Sequence, residues 1–168
     1  ALGAIADEID VARGEEEGLN PIRAVVKLQQ SLQAHRSLST QMLGGATNLD
    51  AERRAREAEV AAGMAALGPL LDKAGYDKPQ ANHKQAKAKW DALAQKIDAK
   101  SLDAKGNLAA HADLIGELMA LVANAADASG LSLDPVAETY FVMTAATDHL
   151  PRLAEAVEDL RISQAGQI

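Results

Sequence analysis

The stretch LAAHADLIGELMALVANAADAS, residues 108–129, decides the fold class. Leu108, His111, Ile115, Leu118, Val122, Ala125 and Ser129 follow steps of three and four without a break. That rhythm gathers side chains on one face of an α-helix and predicts a helix over 102–129. Gly130 then stands where a left-handed C-terminal cap belongs. Leu131-Ser132-Leu133 leads into Asp134-Pro135, a helix start signal. The helix predicted there turns Thr139, Met143, Ala146, Leu150, Leu153, Val157 and Leu160 inward, with Pro151 as an internal kink.

Working outward, the same rhythm fills the chain. Residues 1–18 read as a polar, acidic helix with a thin stripe of Ile5, Ile9 and Val11, weakened by Gly14, Glu15-Glu16-Glu17 and Gly18. Asn20-Pro21 reads as a restart, with asparagine as cap and proline at the first helical position, the new helix either separate from the old one or coaxial with it across a kink. From there to residue 43, Val25, Leu28, Leu32, His35, Ser39 and Met42 form a bundle-type seam, and Gly44-Gly45 ends it. The next helix, about 48–73, buries Val60, Met64, Leu67 and Leu71, has Thr47 and Asp50 as a capping pair, and is bent by Pro69. The one after, about 79–99, buries Ala86, Trp90, Leu93 and Ile97. Short connections between long amphipathic helices imply antiparallel neighbours, so the expected architecture is an all-α up-down bundle of four-helix type with a long kinked N-terminal helix. Residues 1–168 are expected to form one such domain.

Composition agrees and excludes several functions. Alanine is over-represented, aromatic residues make up 2%, and β-branched residues are sparse, which favours helix over sheet. A net charge of −7 lacks the basic footprint of a nucleic-acid binder. The absence of cysteine removes disulfides, thiolate metal sites and cysteine nucleophiles. No run of about 18 uncharged apolar residues is present to span a membrane. Ala1-Leu2-Gly3 at the start and Ala165-Gly166-Gln167-Ile168 at the end suggest a piece of a longer protein, with any anchors outside it.

Chemistry concentrates in Leu32-Gln33-Ala34-His35-Arg36-Ser37-Leu38-Ser39, where a histidine and a serine interrupt the apolar seam with an arginine beside them. Inward polar groups cost stability unless partnered, so either a structural network or a bound guest satisfies them. Di-iron bundles need Glu-x-x-His pairs, and the residues three before the four histidines are Leu32, Gln80, Leu108 and Ala146. No His-x-x-x-His pair, phosphate loop or Gly-x-Ser-x-Gly elbow occurs. A phosphotransfer histidine would have lysine and glycine at the third and fourth following positions, where this chain has Leu38 and Ser39. No catalytic residue, metal site or resident cofactor is therefore expected. His35 and His111 share seam positions, which suits a polar layer fixing the bundle's register or, alternatively, two axial haem ligands. Arg36 offers a permanent charge and a planar fork of donors for a carboxylate, nitrate or similar anion, or for an ordinary ion pair with a neighbouring helix.

Read together, three segments carry a family resemblance. The Leu32–Ser39 stretch resembles the Leu-Gln-x-x-Arg-Gly-x-Ser helix of bacterial sensor domains, including the nitrate- and nitrite-sensing type, with Ser37 where such helices usually have glycine. Asp127-Ala128-Ser129-Gly130-Leu131-Ser132-Leu133-Asp134-Pro135 with Thr139-Tyr140-Phe141-Val142-Met143, and His149-Leu150-Pro151-Arg152-Leu153-Ala154-Glu155, are similar to the extracytoplasmic domains of methyl-accepting chemotaxis receptors and sensor histidine kinases. The resemblance implies a periplasmic ligand-sensing domain of an inner-membrane protein, paired as a homodimer, with a signalling output elsewhere in the parent. The implied ligand is a small molecule, an anion or carboxylate, near Arg36, His35 and Ser39, with His111 or Tyr140. The competing expectation is a structural or adaptor bundle whose polar seam only fixes pairing.

Overall fold

A computed structural model describes residues 2–131, and every element in that range is helical. The four helices are α1 (Leu2–Leu43), α2 (Asp50–Ala74), α3 (Asp77–Asp98) and α4 (Ala104–Ser129). Their side-chain pairings run in opposite directions. His35 meets Glu57 and Leu28 lies against Gly63, so α1 and α2 are antiparallel. His83 bonds to Met64 while Arg53 reaches Asp98, which orients α3 against α2. Lys89 pairs with Asp113 and Asn82 with Glu117, which orients α4 against α3. His35 contacts His111 and Asn107 contacts Ser39, closing the ring between α4 and α1. The fold class read from the helical rhythm is correct: an all-α up-down bundle.

The seams are as expected except at Met42, Leu108 and Ser129, which are only half-buried near the helix ends. Val25, Leu28, Leu32, His35 and Ser39 of α1 are buried, as are Val60, Met64, Leu67 and Leu71 of α2 and Ala86, Trp90, Leu93 and Ile97 of α3. Helix α4 buries more than its single predicted stripe. Leu114, Leu121, Ala126 and Asn107 join His111, Ile115, Leu118, Val122 and Ala125 because α1 and α3 flank it on two sides. By length and composition α4 would also meet the criterion for a membrane span, with a mean hydropathy of 1.2. Its buried faces in the bundle give that apolarity a packing role.

Two boundaries differ from expectation. The restart at Asn20-Pro21 is not made, and α1 runs unbroken for 42 residues with Pro21 inside it. Proline there forfeits one backbone bond, and burial of Pro21 and Ile22 against the bundle holds the helix together across it. The Thr47/Asp50 capping pair is not used either; Leu49 occupies the N-cap of α2 and makes no side-chain bond. The other ends follow the local chemistry: Asp103 accepts the Gly106 amide at 2.6 Å, and Gly130 closes α4 in the left-handed region at φ 66°.

Helix α1 is also longer than its neighbours. At about 1.5 Å per residue it spans roughly 63 Å, against roughly 38 Å for a 25-residue helix such as α2. Its first turns therefore extend past the bundle, where Leu2, Ile5, Ile9 and Val11 are exposed. The rod enters the bundle at Gly18, where an added Cβ would overlap the Ser129 side chain of α4. The fifth helix predicted after Asp134 lies outside the described residues.

Candidate functional site

All four helices converge on His35. The seam of α1 turns it into the core, where it is fully buried. From α4, His111 places Nε2 at 3.1 Å from His35 Nδ1, and from α3 the Trp90 ring meets His35 edge-on at 4.9 Å. From α2, Glu57 Oε2 comes within 3.6 Å of His35 Nε2. One turn further along, Asn107 Nδ2 donates to Ser39 Oγ and Thr40 Oγ1, each at 3.0 Å. Ser39 Oγ in turn donates to the His35 carbonyl at 2.7 Å.

The direction of these bonds fixes both histidine tautomers. His111 Nδ1 lies 2.8 Å from the Asn107 backbone oxygen. A carbonyl only accepts, so Nδ1 carries the hydrogen and Nε2 of a neutral ring keeps its lone pair. His35 Nδ1 must then donate to that lone pair, which leaves His35 Nε2 as an acceptor. It has no donor among the described residues. Burial, His111 and Arg53 lower the His35 pKa to about 3. Burial also dominates at His111, opposed by its bond to Asn107 and aided by the charge of Arg36, and lowers its pKa to about 4. Both rings are neutral at pH 7.

Two buried arginines sit beside this pair in opposite situations. Arg53 is enclosed by carboxylates: it donates to Asp50 and Asp98 at 2.9 and 2.7 Å and also pairs with Glu57. Burial disfavours its charge, but the bonds to Asp50, Asp98 and Glu57 outweigh that and raise its pKa. Arg36 is buried with 6% exposure, and burial alone pushes its pKa down. No carboxylate lies within ion-pair distance of it among the described residues, whereas Arg53 makes such pairs on α2 and with α3. Three positions before Arg36 on the same helix, the Gln33 amide nitrogen is also buried without an acceptor among the described residues.

The structure thus brings together four of the five residues singled out from the sequence: His35, Arg36, Ser39 and His111. The fifth, Tyr140, lies outside the described residues. The His35–His111 arrangement is that of a hydrogen-bonded pair. Axial ligands on either side of a haem iron would hold their nitrogens roughly 4 Å apart, with about 2 Å to the metal from each. Among the described residues no cluster of three or more potential metal ligands forms.

Glu57, Arg53, Asn107 and Gln33 were missed. A signal existed for the first two: stepping back from Val60 by three and then four lands on Glu57 and Arg53, so the buried face of α2 continues as charged residues. Asn107 likewise precedes His111 by one turn. No family model matches the chain, and neither a curated protein nor a solved structure resembles it significantly.

Proposed function

We propose that this bundle is the extracytoplasmic ligand-sensing domain of a bacterial transmembrane signalling receptor, of the chemotaxis or sensor-kinase kind, and that it binds a small anion. The observation that carries this reading is Arg36. Arg36 is a buried guanidinium with no carboxylate on it among the described residues, which is costly, and an anion entering its fork would remove most of that cost. The Gln33 amide supplies a second donor one turn away, and both nearby histidines are neutral, so among the described residues Arg36 is the positive charge left for the guest.

Helix α1 gives the signal its route. It carries Arg36 inside the bundle and continues as an exposed rod at its other end. An anion that binds one packing of α1 against α4 better than another biases the pair by that difference in affinity alone. In this reading the domain works as a homodimer, and the membrane segments and output module belong to the rest of the receptor.

The test is thermal unfolding against nitrate, nitrite, acetate and short dicarboxylates at constant ionic strength, with titration calorimetry on any hit. An anion present at one hundred times its Kd adds about 2.7 kcal/mol to the folded state. Arg36→Ala should abolish the response and Gln33→Ala should weaken it. Equal binding by Arg36→Ala would remove this site from the reading. A second reading has its own support. The bonded set of His35, His111, Asn107 and Ser39 is also what a register-fixing polar layer looks like. A melting temperature unmoved by every anion would favour that scaffold.

A further inference from the structure

We propose that the His35–His111 pair is a one-proton site gated by Glu57, and that taking up the proton switches Glu57 from Arg53 to His35. The argument starts from an unbalanced set of donors and acceptors. In the neutral pair one hydrogen lies between the rings and one between His111 and the Asn107 carbonyl. At the other end the His35 Nε2 lone pair faces the Glu57 carboxylate across 3.6 Å. Two acceptors therefore oppose each other beside the fully buried His35 ring, and His35 Nε2 has no donor among the described residues. One added proton corrects this. It gives an unbroken run from Nε2–H of His35 to Glu57, through a shared hydrogen between the rings, to Nδ1–H of His111 and the Asn107 carbonyl. The proton belongs to the pair rather than to either ring, because a hydrogen between two imidazoles can be assigned to both.

Glu57 decides whether the proton stays. In the structure its Oε2 is committed to Arg53. Arg53 would keep partners without it, because Asp50 and Asp98 both accept from its Nη2. A small movement of the Glu57 side chain closes the gap to His35 while Arg53 remains paired. Among the described residues, the groups facing the pair are Arg36 from α1, Arg53 and Glu57 from α2, the uncharged Trp90 edge from α3, and His111 itself from α4. The arginines oppose the proton, and Glu57 is the one carboxylate among the described residues placed to hold it. The bundle consequently has two bonded arrangements at its centre, neutral with Glu57 on Arg53 and protonated with Glu57 on His35. This switch does not depend on an anion binding at Arg36.

Nitrogen NMR of the histidine rings in the isotopically labelled chain tests it directly. At pH 7 both His35 and His111 should be neutral with hydrogen on Nδ1. On acidification the pair should gain one proton in a single step while the amide spectrum remains that of a folded protein. In Glu57→Gln the step should move at least one pH unit lower, and in Glu57→Asp, which keeps the charge with a shorter reach, by less. Hydrogen on His35 Nε2 at pH 7 would overturn the proposal. Two independent single-ring titrations, a step unmoved in Glu57→Gln, or proton uptake only on global unfolding would each do so too. The wild-type spectra decide the matter even if neither variant folds.

Discussion

At the scale of single residues, the centre of this protein is a study in how charge survives burial. Arg53 and Arg36 are both nearly inaccessible, yet one is held by three carboxylates and the other by none among the described residues. Arg53→Met should therefore destabilise the bundle, by about 2 kcal/mol in urea unfolding, because the carboxylates it pairs with are partly exposed and water screens the loss. The histidines set the acid limit. Their folded pKa values, about 3 and about 4, lie below the ordinary 6.5, so the unfolded chain binds protons that the folded chain refuses. Stability is then complete above pH 6.5 and falls as pH drops below it, levelling off once the folded pair takes up its proton. Urea midpoints measured from pH 7 to pH 4 should decline, and the decline should flatten in the double variant His35→Leu with His111→Leu.

At the scale of elements, helix continuity proved stronger than local punctuation. Gly14, Gly18 and Pro21 look like breaks, but α1 runs through all three. The glycines have different roles. Gly18 lets α1 cross α4 closely at Ser129, so Gly18→Ala should cost about 1–3 kcal/mol by overpacking that crossing. Gly116 lies on the exposed side of α4 with open space around it, so Gly116→Ala should instead stabilise by about 0.5–1 kcal/mol through helix propensity. Paired denaturation curves check both signs at once. Hydrophobic rhythm made the elements legible, because packing a seam requires it. The true entry of α1 into the bundle was not legible, because it depends on which helix lies opposite Gly18.

At the scale of the whole molecule, the four-helix ring and the overhanging start of α1 are separate regions of stability. Leu2, Ile5, Ile9 and Val11 are all more than half exposed and add little to the shared core. Removing residues 1–14 should leave the melting temperature within about 2 °C of the full chain, since surface segments outside a core contribute little. A larger fall in a calorimetric scan would mean that the overhang is covered in solution, as pairing of two copies along it would do.

Helical period and short connections were enough to read the four-helix core of the described residues, most of its inward faces and its antiparallel order, because they leave few alternatives for an alanine-rich chain. It also marked His35, Arg36, Ser39 and His111 as polar intrusions on or beside apolar seams. Only the tertiary structure decided what those intrusions meet. Residues 35, 53, 57, 90 and 111 come from four separate helices, and their contact depends on the register of each helix against its neighbours. Register is set by side-chain fit across the whole core, such as Leu28 against Gly63, and no local pattern encodes it. That is why Arg36, read beside its seam, and Arg53, on the continuation of the α2 face, both end up buried, while packing gives Arg53 a set of carboxylates and Arg36 none among the described residues.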